Sequence, residues 1–349
     1  MNSSSLVTVI MPAYNTGLYI RQAIESILNQ TYQNFEFLIY DDSSTDNTVQ
    51  IIESYTDERI RLYKKEKNTG YTNSLIKGIA EAKGKYIARM DSDDISHFHR
   101  LEKQVNFLEK NNEYGLVGSY VQTITSSDFS QVWKFPVDDA DIRLFAIINS
   151  PFAHPSVLIR KEVLIKNQLT YSLSYEPCED YKLWYDLLKV TKGKNLDEVL
   201  LYYRQHQNQT SILNKNKLIE NSNKVRQLVF SDLFNIQLNE EDLVTNYFFF
   251  NEIQANSALS IQTKHLWRRK LKSGVWRNTN DKKVNNLLET YWIINLRTIA
   301  EFKFSFLKFL NNKSVISDFS FSEIVRFFIK CILCYKVPKK NNASSFYIL

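Results

Sequence analysis

Apolar positions in the first 125 residues alternate between short unbroken runs and stripes at helical spacing. Residues 7–12, VTVIMP, are apolar without alternation, the pattern of a strand buried on both faces. Ile20, Ala23, Ile24, Ile27 and Leu28 share one face of a helix ending near Asn29. Residues 35–42, FEFLIYDD, give a second strand that ends in carboxylates. Ser43, Ser44, Thr45 and Asp46 then offer a cap to a helix carrying Val49, Ile52 and Tyr55. Residues 60–65 predict a third strand, and Leu75, Ile76, Ile79 and Ala80 a third helix. A fourth strand runs into Asp91, a helix follows around Leu101, Val105 and Leu108, and LVGSYVQTI supplies a fifth strand. Strands alternating with helices over short connections predict an α/β fold with a mostly parallel, Rossmann-like sheet covered on both faces. Residues 126–215 lose this regularity, and from residue 216 onward the spacing is mainly helical. The expected division is therefore 1–215 and 216–349.

Composition narrows the class. Hydrophobic content of 44% with 23% charged residues is globular rather than disordered. No secretory leader is expected, because MNSSSLVTVIMP lacks a basic start, and no stretch has the ~18 apolar residues of a membrane span. Three cysteines are too few for a disulfide framework to organise the fold, and they fit a reducing, cytoplasmic setting. The net charge of +6 is concentrated at the end: residues 301–349 hold eight Lys or Arg against Glu301, Asp318 and Glu323. The near-neutral remainder argues against a nucleic-acid binder, since acidic strand ends repel a phosphate backbone.

The most informative segment is residues 85–96, KYIARMDSDDIS. An apolar run ends there in Asp91, Asp93 and Asp94. Carboxylates at the lip of a buried strand are costly unless a positive group sits among them. Mg²⁺ or Mn²⁺ suits such oxygen ligands and is commonly shared with substrate phosphates. In parallel sheets ligands bind outside the carboxyl ends of the strands, where both acidic clusters, Asp41-Asp42 and Asp91-x-Asp93, are placed.

Five segments in order, VTVIMPAYN, YDDSSTDNT, NTGYTNSLIKGIAEAKGKYIARMDSDD, CEDYKLW and YRQH, resemble the family 2 glycosyltransferases of the GT-A fold. The resemblance spans roughly residues 5–210 and implies inverting, metal-dependent transfer of a hexosyl or N-acetylhexosaminyl group. The donor would be a nucleotide sugar, with UDP as its nucleotide, and the acceptor a hydroxyl of a glycan or lipid-linked glycan in bacterial surface-glycan assembly. It implies Asp93 as main metal ligand, Asp91 near the ribose or metal, and His206 near the metal. Pro12, Tyr14 and Asn15 would line the donor site, Tyr14 stacking on the base. Asp42 would accept the uracil N3–H, Asn68 and Gly70 would approach nucleotide or sugar, and Arg204 the diphosphate. Asp180 would be the catalytic base, a suitable group because an oxocarbenium-like transition state needs only a proton acceptor on the incoming hydroxyl. The other reading of the whole chain is an inactive module of this fold that binds carbohydrate or a protein.

Several residues carry two readings on sequence. Asp41 suits a turn cap, and Arg89 an ion pair with a nearby acid. Glu179 and Asp180 suit the positive end of a helix, and Trp184 either a sugar platform or core. His154 and His206 read as site residues or as satisfied structural histidines. Cys331-x-x-Cys334 reads as small buried residues, since zinc would need two further ligands. The apolar run around Phe327, Phe328 and Ile332, flanked by Arg326 and Lys330, reads as a core helix or as a peripheral contact with the inner face of the cytoplasmic membrane.

Overall fold

All seven residues of β1 (Val7–Ala13) are buried, which is the physical content of its unalternating apolar run. A computed structural model describes residues 5–125, 129–206, 209–234, 237–251 and 266–267. Its first strands and helices follow the sequence pattern: α1 (Ile20–Leu28), β2 (Phe35–Asp41), α2 (Thr48–Glu53), β3 (Ile60–Lys64), α3 (Tyr71–Glu81) and β4 (Tyr86–Arg89). β1 lies between β2 and β4, and β3 adds outside β2, all parallel. Their carboxyl ends therefore share one edge. α3 approaches β1 so closely that a Cβ on Gly78 would lie 2.7 Å from Ile10, which leaves room only for glycine.

Pro12 does not interrupt β1. Met90 donates its N–H to Ile10 O at 3.1 Å, so residue 12, two further on, also turns its nitrogen toward the β4 side. The β1–β4 pairing has ended at Ile10 and Arg89, and the missing N–H costs no ladder bond.

Beyond β4 the sheet becomes mixed. β5 (Ile95–Ser96), α4 (Arg100–Lys110), β6 (Tyr114–Ile124), β7 (Phe129–Trp133), α5 (Asp139–Phe145), β8 (Leu158–Arg160), α6 (Lys161–Lys166), α7 (Glu179–Val190) and β9 (Lys192–Arg204) follow. The order across the sheet is β3-β2-β1-β4-β8-β6-β9-β5, with β7 on β6. β8 enters antiparallel between β4 and β6, so β6 does not pair with β4 as simple alternation would have it. β9 runs parallel to β6 with register shifts around Tyr120. After β9 come α8 (Thr210–Leu213), α9 (Lys215–Phe234) and α10 (Glu240–Asn251). The chain divides into two units, the first ending at Val225 and the second beginning at Arg226. Among the described residues no helix is long and apolar enough to cross a membrane. The Cys331/Cys334 pair, His265 and the basic segment 301–349 lie outside the described residues.

Candidate active site

The fold brings the two acidic clusters to the edge expected of them. β2 ends at Asp41 and β4 at Arg89, with Asp91, Asp93 and Asp94 in the turn just after it. The carboxylates of these three residues can each place an oxygen within 4.8 Å of the others. Asp94 is buried; its Oδ1 accepts the Arg204 N–H at 2.8 Å and its Oδ2 has no partner. Burial, with the charges of Asp93 and Asp91, holds the Asp94 carboxyl well above the usual carboxylate range. Asp91 pairs with the buried guanidinium of Arg89, the ion-pair reading of that residue. Arg89 is in turn backed by Arg100, whose Nη1 donates to the Arg89 carbonyl at 3.1 Å and also to the Pro155 carbonyl.

The end of β9 closes this turn. Arg204 Nε donates to Asp93 O at 2.8 Å, and its Nη2 donates to Gln22 Oε1 at 2.7 Å. His206 Nε2 lies 2.9 Å from Asp93 Oδ2. Both side chains rest on Tyr19, the imidazole stacked at 5.4 Å and the guanidinium carbon 4.8 Å above the ring. Arg204 thus ties the carboxylate turn, through its N–H and Nε, to Gln22 and Tyr19. Three carboxylates, one of them with an orphaned buried oxygen, and an imidazole brought against them from the end of β9 are a donor set that fits a hard divalent cation.

On the β1–β2 side, Asp41 Oδ2 accepts the Ser44 N–H at 3.0 Å, the turn-capping role read for it. Asp42 Oδ1 accepts the Thr69 N–H at 2.9 Å and pairs with Lys65 Nζ at 2.9 Å. Lys65 also reaches Thr69 Oγ1 and the Gly70 carbonyl, so it fastens the 68–70 turn to the end of β2. Asn68 Oδ1 accepts the Gly70 N–H at 3.1 Å, and Gly70 has φ of 87°, a conformation that L side chains rarely adopt. Tyr14 stands 47% exposed at the lip, open to a stacking partner. Asn15 is tied to the next turn: its N–H donates to Ser44 Oγ, and its Oδ1 accepts the Thr45 N–H at 2.8 Å.

Glu179 and Asp180 open α7. Ser150 Oγ lies 3.4 Å from Asp180 Oδ2. Burial raises the Asp180 carboxyl, against the opposing pull of the Tyr181 N–H and the Arg89 charge. Glu179 is buried at 1% exposure and accepts the Tyr71 hydroxyl at 2.9 Å. Trp184 is fully buried, edge-on to Phe152 and His154, so the platform reading gives way to core packing. His154 is likewise structural: its Nε2 meets the Tyr171 hydroxyl at 2.8 Å. Burial and Arg89 hold its imidazole well below the ordinary value, hence neutral, and its 3.8 Å approach to Glu179 is not an ion pair.

Sequence reading missed Lys65, Tyr19 and Gln22. Lys65 follows a strand directly, a position that in this sheet falls on the ligand edge; Tyr19 and Gln22 left no signal in the local pattern.

The glycosyl transferase family 2 model matches residues 8–167. An uncharacterized glycosyltransferase of Haemophilus influenzae is 35% identical over 238 residues, 65% of this chain and 74% of that protein. The chain is a family 2 glycosyltransferase. Another relative of this glycosyltransferase is WfaP of Escherichia coli, named a UDP-Glc:alpha-D-GlcNAc-diphosphoundecaprenol beta-1,3-glucosyltransferase. It is 34% identical over 224 residues, 64% of this chain and 86% of WfaP. Solved structures share the GT-A fold at low identity. The Staphylococcus aureus TarS 1–349 complex with UDP has a TM-score of 0.54 at 18% identity, covering 84% of this chain and 88% of that one. The mannosyltransferase PcManGT of Pyrobaculum calidifontis, solved with GDP-Man and Mn²⁺, has a TM-score of 0.51 at 14% identity, covering 97% and 89%.

Proposed function

We propose that this glycosyltransferase moves a hexosyl or N-acetylhexosaminyl unit, with inversion, from a UDP-sugar to a hydroxyl of a glycan or lipid-linked acceptor. The observation that carries this reading is the carboxylate turn after β4, closed by His206 on Asp93, in a chain of this family. Asp93, Asp91 and His206 would hold Mn²⁺ or Mg²⁺, which when bound neutralises charge on the leaving diphosphate. Asp42 takes the uracil edge, Tyr14 stacks on its face, and Pro12, Asn15, Asn68 and Gly70 shape the rest of the nucleoside pocket. Arg204 holds the carboxylate turn in place beside the diphosphate. Asp180 accepts the proton of the attacking hydroxyl.

Support for UDP comes from WfaP, whose name specifies UDP-Glc, and support for a lipid-linked acceptor from the diphosphoundecaprenol in the same name. Work at the cytoplasmic face of the membrane, in surface polysaccharide or lipooligosaccharide assembly, belongs to this proposal, with the basic 301–349 segment as the contact to anionic lipid.

Diphosphate release from a panel of UDP- and GDP-sugars, with Mn²⁺ and with EDTA, tests the reading. Release from a UDP-sugar that EDTA abolishes is the expected result. No release from any donor under either condition would leave a binding module instead.

Asp42→Ala is expected to weaken UDP binding about tenfold, ~1.4 kcal/mol, and GDP binding by less, because the uracil N3–H loses its acceptor. Titration calorimetry with both nucleotides measures this. Equal losses would assign Asp42 only to anchoring Lys65 and Thr69.

A further inference from the structure

Tyr71 is the first residue of α3, directly after the 68–70 turn, and its hydroxyl donates to Glu179 Oε2 across 108 residues of sequence. Glu179 immediately precedes Asp180 at the start of α7. The other Glu179 oxygen faces His154 Nδ1 at 3.8 Å, and His154 is itself held by Tyr171. Among the described residues no Lys or Arg pairs with Glu179. A second approach lies alongside: a Cβ on Gly70 would stand 3.6 Å from both carboxylate oxygens of Glu176. The nucleoside-side turn and the segment leading into α7 therefore meet twice.

Burying a carboxyl without a cation is expensive, and an apolar pair of similar volume would join two helix ends at lower cost. The contact is instead directional. A hydroxyl aimed at one carboxyl oxygen adds a directional restraint at the first turn of α7 to the packing of its buried face. The orientation of that turn sets where the next side chain, Asp180, points. Burial and the Asp180 charge both raise the Glu179 carboxyl, so it sits beside the proposed base without adding a second full negative charge.

We propose that Tyr71 is a positioning residue that, through Glu179, sets the orientation of Asp180 relative to the nucleoside-side turn. This rests on the reading of Asp180 as the base. The test uses the full chain and whichever nucleotide sugar of the panel above is turned over fastest. Tyr71→Phe removes only the hydroxyl, Glu179→Ala removes its acceptor, and Glu179→Gln keeps an acceptor oxygen.

Tyr71→Phe and Glu179→Ala are each expected to lower kcat about tenfold with UDP affinity within about twofold of the parent. The double variant should be no slower than either single one, since both cut the same link. Glu179→Gln should recover most of the loss seen in Glu179→Ala. Parental kcat in Tyr71→Phe, or additive losses in the double variant, would overturn the proposal. A fall in UDP affinity matching the fall in kcat would also overturn it, by assigning the pair to folding. If Glu179→Ala does not fold, Tyr71→Phe alone decides: an unchanged kcat overturns the proposal, and a tenfold fall with UDP affinity kept supports it. Failure of the base reading looks different: Asp180→Asn would then turn over donor at the parental rate.

Discussion

Replacing Asp180 by Asn is expected to lower kcat by about 1,000-fold, within the range a positioned proton acceptor contributes. The amide keeps the size of the carboxylate and an oxygen for Ser150, so the helix start is preserved. What it loses is the ability to take a proton from the attacking hydroxyl. UDP affinity should stay within about twofold, because the group acts mainly in the transition state. The pH dependence gives a second check. Burial pushes the Asp180 carboxyl up to about 6, so its basic form predominates only above that pH. The rate should therefore fall about tenfold per unit as pH drops below 6, and the limb should vanish in the variant. Parallel loss of UDP binding and turnover would make Asp180 a structural residue.

Asp93→Asn is expected to lower metal-dependent turnover by about 100-fold or more, at least ~2.7 kcal/mol. An amide oxygen can still accept from His206, and Arg204 binds the backbone carbonyl of residue 93, so the turn keeps its shape. Only the charge available to a cation is lost. Mn²⁺ binding followed by calorimetry should weaken alongside the rate. A variant that retains full activity in EDTA would remove the metal role from this residue.

The parallel half of the sheet was legible because its strands are local and three of the four, β1, β2 and β4, are buried along nearly their whole length. An apolar run of four to seven residues, bounded by polar turns, marks β1, β2 and β4 without reference to anything distant. The acids at their ends were legible for the same reason. β8 was not, since three residues, Leu158–Arg160, carry no periodicity, and their place between β4 and β6 is fixed by pairing alone. β9 hid differently: its register shifts against β6 break the alternation that a regular strand would print. The approach of His206 to Asp93 spans 113 residues and follows from that register. Family resemblance placed His206 near the metal, but the sequence held no trace of Tyr19 beneath it. Arg89 and Arg100 escaped notice as core residues because composition treats arginine as surface, whereas here an acid and backbone carbonyls satisfy part of each.

The clasp of β9 on the carboxylate turn also fixes an order of events during synthesis. A nascent chain that has emerged through residue 167 already holds β1 to β4, the acids at their ends and the whole segment matched by the family model. It lacks α7 and the strand whose last residues fasten Asp93 and Asp94. Until residue 206 has left the ribosome, Asp93 and Asp94 lack their contacts with Arg204 and His206, and only Asp91 has its partner, Arg89. The clasp on the carboxylate turn is thus synthesised last, after both acidic clusters and after α7.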